Sequence, residues 1–224
     1  MDVVLIGGGS LAVEVASYLT TNGIHNSVPD IVVTDVLDRA GGRTADLSIL
    51  LGNGVQYCRS PEEVSNLKNK HALVCVGDSF TRRRLYFEFR DSVAGFASYI
   101  HPQVDVASTA TLGNGIILAP FACIGAFSRI ADNSFINMHC VIGHDVLIGH
   151  STVVAPQSSV LGGVQCGEAT YVGSGVVLQP GVTVGRCCKI ASGAVLNKNF
   201  GDGFLLHGNP ANGREMFPVA EILS

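Results

Sequence analysis

His144 is followed directly by Asp145. An imidazole beside a carboxylate is the pairing a general base needs near neutral pH, because the carboxylate orients the ring and raises its basicity. A second chemical signal lies near the start of the chain, where Gly7-Gly8-Gly9-Ser10-Leu11-Ala12 follows the apolar run Val3-Val4-Leu5-Ile6. That loop fits G-x-G-x-x-A, a pattern that lets a phosphate or a second backbone approach a helix N-terminus. Asp35 comes 23 residues after Ala12, about where a carboxylate would meet a ribose. The seven cysteines (58, 75, 123, 140, 166, 187 and 188) form no CxxC pair and have no metal-ligand spacing. They read as small buried hydrophobes, and an odd number without a secretory signal points to reduced thiols in the cytoplasm.

The element that must position His144 is a six-residue repeat. Stepping by six from Ile100 to Leu196 meets seventeen residues, of which sixteen are Val, Ile or Leu and the other is Cys166. Four residues beyond each aliphatic, from Val104 to Ala194, the chain is nearly always small or β-branched. The residue just after the aliphatic is often glycine, as at Gly113, Gly125, Gly143 and Gly149. Neither the helical period of 3.6 nor the strand period of 2 gives a strict six. A parallel β-helix of hexapeptides does, with three hexapeptides per triangular coil and the small residues expected to permit the special dihedrals of tight corners. Residues 18 apart then stack at about 4.8 Å.

Stacking by 18 sorts the outward residues into columns. His144 stands alone among Ser108, Ala126, Gly162 and Pro180, and Asn137 among Ala119, Ala155, Gly173 and Ala191. Each is a polar group in a trough of small residues, which leaves room for a substrate. His150 shares its column with Asp132, Glu168 and Arg186, the composition of a solvated charged corner. His139 lies between Phe121 and Gln157, while His25, His71, His101 and His207 sit at turns, edges or the junction and read as incidental.

Residues 1–99 carry 9 Lys/Arg and 11 Asp/Glu, whereas residues 100–224 carry 5 and 7, so charge density halves where the repeat begins. Three segments follow: an α/β unit over 1–99, a β-helix over 100–200 and a C-terminal tail over 201–224. In the first, Val3–Ile6, Ile31–Val33 (ending at Asp35) and Leu73–Val76 (ending at Gly77) read as parallel strands, with helices around 13–20, 61–69 and 79–90. With fewer than 100 residues it holds only half of a full dinucleotide sheet, enough for the nucleotide part of a sugar nucleotide. The composition is 47% hydrophobic, yet no stretch of 18 apolar residues lacks Gly, Asn, Asp or His, so no spanning helix is expected. Met1-Asp2 leads straight into a strand-like run, so no signal peptide is expected either. A formal net charge of -4 and few aromatics argue against nucleic acid as a partner.

Together the glycine loop, Ile136-Asn137, Val141-Ile142-Gly143-His144-Asp145 and Gly208-Asn209-Pro210-Ala211 resemble the bacterial hexapeptide-repeat sugar acetyltransferases. That family joins an N-terminal Rossmann-like unit to a left-handed β-helix, and it includes N-acetyltransferases of nucleotide-linked amino sugars and sialic acid O-acetyltransferase relatives. The resemblance implies acetyl transfer from acetyl-CoA to the amino group of a nucleotide-linked amino-deoxy sugar, with O-acetylation as the alternative. It implies His144 as the base, Asp145 as its partner and the Gly162 amide as the oxyanion donor. It puts Asn137 at the acceptor, and Gly9, Ser10, Leu11, Asp35 and Gly77 at the nucleotide. Acetyl-CoA would run near Val153, Ser174, Ser192 and Gly193, between the subunits of a cytoplasmic homotrimer, with no metal. Leu11 stands where many relatives have a histidine in the glycine loop, and Val153 replaces a histidine found near the CoA in some members, so these two ligand contacts depart from the family's pattern.

Two other classes use such a prism. His139 and His144 are five apart, a spacing that resembles two zinc ligands of the γ-class carbonic anhydrases, but the third position, 36 residues before His139, is Gln103. A non-catalytic scaffold would carry no lone polar residue in a trough of small ones.

Overall fold

The computed structural model describes residues 1–20, 31–52 and 54–224. Its first part is a five-stranded parallel sheet of β1 (Asp2–Ile6), β2 (Val32–Leu37), β3 (Gln56–Cys58), β4 (His71–Val74) and β5 (Gly95–Phe96), in the order β3-β2-β1-β4-β5. Helices α1 (Ser10–Thr20), α2 (Thr44–Leu51) and α3 (Ser79–Phe89) connect the strands. An unbroken apolar β1 makes sense in a sheet covered on both faces. Val3 and Leu5 pack with α1 on one side, and Val4 and Ile6 pack with α3 on the other. β2 runs on to Leu37, so Asp35 stands inside the strand opposite Val4 and not at its end.

From Tyr99 onward, two-residue strands recur every six residues and stack on three faces. Register is 18 residues throughout the regular coils: Phe135 faces Val153 on the first face, Cys123 faces Val141 on the second, and Arg129 faces Leu147 on the third. The aliphatic of each hexapeptide points inward, forming one core from Leu118 through Ile142 and Val160 to Leu196. The small residues four positions on share that interior, and hydroxyls are tolerated there because each finds a carbonyl. Ser128, Ser134, Thr152, Ser158 and Thr170 donate to the oxygens of Gly143, Gly149, Gly167, Gly173 and Gly185 at 2.6–3.0 Å. The last coil is shorter, since Lys189 pairs with Leu205, 16 residues on. Strand Phe204–His207 then turns back antiparallel against Asn212–Glu215.

Small residues supply the corner dihedral in some coils, at Gly163, Gly175, Gly181 and Gly193 among others, but larger residues supply it elsewhere. The left-handed position is the third after the aliphatic, and Phe127, Asn133, His139, Asp145, Ser151 and Gln157 occupy it with φ between 56° and 61°. Such a conformation costs about 1–2 kcal/mol per residue. It is held because the strained residue's N–H reaches the coil before, as in Asp145 N to Ala126 O at 2.9 Å and Ser151 N to Asp132 O at 3.0 Å. The glycine just after the aliphatic serves close approach instead: a Cβ on Gly149 would lie 2.5 Å from the backbone nitrogen of Glu168.

The α/β unit covers the first face, where outward Ile117, Phe135 and Val153 are buried against Leu11, Ala12 and Val15. Beside this apolar contact, the fully buried Arg82 guanidinium donates to the carbonyls of Val74 (2.6 Å), Val76 (3.2 Å), Asn133 (2.5 Å) and Gly115 (3.4 Å). Burial pulls it down to about 10, so it stays charged at neutral pH. Arg83 pairs with Glu168 at 2.7 Å and donates to the carbonyls of Ile222 and Leu223 in the C-terminal helix α4 (Val219–Leu223). Lys189 pairs with Asp78 at 2.7 Å.

His150 is not a solvated corner. α3 lies over it, so that its ring packs edge-on to Tyr86 and tilted against Phe87, while Nδ1 meets Ser151 Oγ at 2.8 Å. Burial lowers its pKa below 6.5 against the opposing pull of Glu168 and Asp132. Among the described residues no helix is long and apolar enough to cross a membrane.

Two outcomes follow for stability. Arg82→Leu strands buried carbonyls in both parts of the chain and should destabilise by on the order of 3 kcal/mol in urea unfolding. Because unfolding lets His150 take up a proton more readily, its contribution is complete above pH 6.5 and lost as pH falls. His150→Gln should flatten the loss of stability on acidification below that pH.

Candidate active site

His144 and Asp145 form the corner between the second and third faces, after the strand Val141–Ile142. Successive strand residues point to opposite faces. The left-handed Asp145 (φ 57°) breaks that alternation and brings the two side chains together, with Nδ1 and Oδ2 2.7 Å apart. Both side chains are exposed, at 71% and 62%. The imidazole lies over Gly162, one coil on, where a Cβ would sit 2.6 Å from Nε2. The glycine therefore makes the space the ring occupies. Among the described residues the Gly162 N–H makes no hydrogen bond, so a donor stands free beside the ring. A base, its orienting carboxylate and an unused amide thus share one exposed corner, the components of acyl transfer to an amine or hydroxyl.

Asn137 lies at the preceding corner, between the first and second faces, where its Oδ1 accepts from Met138 N at 2.7 Å. Ser174, Ser192 and Gly193 are exposed along that same edge, and Gly193 N bonds Ser174 O at 2.9 Å. Within one copy, the second face separates this edge from the His144 edge. Val153 belongs to neither. It is buried under the α/β unit with Phe135, since its outward direction from the first face is the direction that unit covers, so it does not border a coenzyme path.

At the other end of the chain, Gly9 and Ser10 are exposed where α1 begins, and Gly77 is half-buried after β4. Leu11 is not available to a ligand, because the first turn of α1 rotates it into the core with Ala12 and Val15. Asp35 is likewise unsuited to a ribose: buried in mid-strand, it is ion-paired with Lys70 and accepts from Thr34 Oγ1 at 2.6 Å. The carboxylate that does stand at the end of β2 is Asp38, which accepts from Ala40 N at 3.2 Å and from Gly42 N. Sequence reasoning missed it by ending the strand at the first acidic residue. The signal was Val36-Leu37, two more apolar residues before the turn Asp38-Arg39-Ala40-Gly41-Gly42. Asp38, Gly7, Leu37, Thr81 and Arg84 border a cavity of about 210 Å³ at the carboxyl ends of β1, β2 and β4. A parallel sheet binds ligands at that end, where the strand order reverses.

The other histidines lie apart from these groups. His139 stacks on Phe121 at 4.9 Å on the Asn137 edge, and His101 is buried between Tyr18 and Tyr99. His25 lies outside the described residues. Among the described residues no three His, Cys, Asp or Glu are grouped to hold a metal. Burial pushes the Cys140 and Cys187 thiols up to about 11, which keeps them protonated and poorly nucleophilic.

A family of bacterial transferase hexapeptides (six repeats) matches residues 163–198. A GDP-perosamine N-acetyltransferase of Escherichia coli O157:H7 is 32% identical over 82 residues, which is 37% of this chain and 37% of that protein. The chain spans less than half the length of the curated relatives it matches first. Similarity to solved structures extends further. The crystal structure of PerB from Caulobacter crescentus with CoA and GDP-perosamine is 29% identical, covers 96% of this chain and 97% of that one, and has a TM-score of 0.79. Further structures of that enzyme carry one histidine changed to asparagine or to alanine. The acetyltransferase domain of PglB from Neisseria gonorrhoeae is 26% identical with a TM-score of 0.76, covering 95% of this chain and 99% of that one. Repeat, fold and near-full-length likeness make this chain similar to solved sugar acetyltransferases of the hexapeptide-repeat type.

Proposed function

We propose that this protein transfers an acetyl group from acetyl-CoA to the amino group of a nucleotide-linked amino-deoxy sugar, with His144 as general base. The observation that carries the proposal is the hydrogen-bonded His144–Asp145 pair standing over Gly162 in a trough of small residues. Its support from relatives is the likeness to PerB, whose structures hold CoA and GDP-perosamine.

The sugar amine attacks the thioester carbonyl as His144 takes the proton the nitrogen must lose. Asp145 holds the ring and stabilises its positive charge. The oxyanion of the tetrahedral state accepts from the free Gly162 N–H. Collapse breaks the carbon–sulfur bond, and the proton on His144 leaves with the CoA sulfur. Amide and free thiol are the products, and no covalent enzyme intermediate is needed.

In this scheme residues 1–99 act as a Rossmann-like unit that binds the nucleotide, 100–200 form a left-handed β-helix that performs the transfer, and 201–224 close it. The nucleotide occupies the strand-end cavity, near Gly9, Ser10 and Gly77. Asp38 takes the ribose in place of Asp35. Asn137 faces the acceptor, and acetyl-CoA follows Ser174, Ser192 and Gly193.

These groups lie on two edges of one prism, so a neighbouring copy is needed to bring them together. A cytoplasmic homotrimer does so. Phe127 is exposed at 64% beside the base edge and Phe121 at 48% on the other, and Val141 is exposed on the face between them. Apolar groups so placed fit a surface covered on assembly.

A thiol-release assay with acetyl-CoA and a panel of amino and hydroxyl sugar nucleotides tests the scheme. His144→Ala should lower turnover by roughly 10²–10⁴, and near-normal turnover would remove the histidine from the mechanism. Asp145→Asn should give a smaller drop. Gly162→Ala places a methyl 2.6 Å from Nε2 and should displace the imidazole, costing roughly 10²-fold in kcat with a normal melting curve. Sedimentation should report a trimer at micromolar concentration, and a monomer would overturn the shared site.

A further inference from the structure

We propose that Arg84 is the cation that receives the diphosphate of the nucleotide-linked substrate; this rests on the strand-end cavity being the nucleotide site. Arg82, Arg83 and Arg84 are consecutive on α3, so each points about 100° around the helix from the last. Two of them are committed. Arg82 is buried among backbone carbonyls, and Arg83 is held by Glu168 and the carbonyls of α4. Arg84 is exposed, borders the cavity, and makes no hydrogen bond or ion pair among the described residues.

The rest of the cavity wall makes that freedom consequential. Its depth is apolar, with Ile6, Leu37, Leu85 and Phe89, which suits a base and not a phosphate. Asp38 on the rim is an acceptor for hydroxyls and would repel a phosphate. Arg39, the other cation there, is already paired with Glu88 at 2.5 Å. The Gly7 N–H is already donated to Leu37 O at 2.9 Å, and the start of α1 offers N–H groups but no formal charge. A full positive charge close by strengthens the hold on a diphosphate beyond what N–H groups give, and a guanidinium presents a fork of donors that matches phosphate oxygens. Arg84 is the group on this rim able to supply it without breaking an existing contact.

Calorimetry of GDP and UDP against the full chain tests the assignment, with guanosine and uridine followed by ligand-observed NMR at millimolar concentration. R84Q should weaken the better diphosphate by about 10- to 100-fold while nucleoside binding and the melting curve stay as in the unaltered protein. R84K should recover part of the loss, as charge returns without the fork. Unchanged diphosphate affinity in R84Q, or equal loss of nucleoside and diphosphate, overturns the role of Arg84. If the unaltered chain binds neither diphosphate, the nucleotide site itself is wrong and the proposal falls with it.

Discussion

A single buried guanidinium sets the geometry on which everything else rests. Arg82 donates to two carbonyls at the end of β4 and to two on the prism, so one side chain saturates backbone acceptors from both parts of the chain. Apolar packing of Ile117, Phe135 and Val153 supplies area but little direction. The arginine supplies direction, since a planar donor set fits those four oxygens in one orientation only. Fixing α3 in this way also fixes which of its arginines face the prism, the C-terminal helix and the strand-end cavity.

The prism solves a different problem, the placement of reactive groups on a surface made of two-residue strands. Short strands have little pairing of their own, so order comes from stacking: aliphatics inside, hydroxyls bonded to carbonyls of the next coil, and corner N–H groups bonded to the coil before. That last bond holds Asp145 left-handed and swings it beside His144. A local backbone requirement of the repeat thereby creates the dyad.

Much of this was legible in the residues. The period of six identified the coils, the stacking register of 18 and the isolation of His144 and Asn137, because interior aliphatics repeat without a slip. The glycine loop and its strand were equally plain. What failed were readings that needed knowledge of a third surface. Val153 and His150 look outward in the coil count, and only the packing of the α/β unit and α3 against the first face turns them inward. Leu11 failed for lack of the helix's rotation, and Asp35 because a buried aspartate with a lysine partner looks, in one dimension, like a ligand at a strand end. The left-handed corner position was hidden because Phe, Asn, His, Asp, Ser and Gln have no shared chemistry that would reveal it.

That corner position has a consequence for how such a surface can change. Its backbone is held by neighbouring coils and not by its own side chain, so the residue there is free to vary, as the run Phe127, Asp145, Gly163 and Gly181 along one edge illustrates. The prism is in effect a rack of equivalent slots spaced at about 4.8 Å along its axis. A reactive group could be lifted or lowered by one coil through exchange of side chains alone, with the interior untouched. The reach between a site on the prism and a nucleotide bound to the flanking sheet would then be adjusted in discrete steps, a built-in scale for substrates of different length.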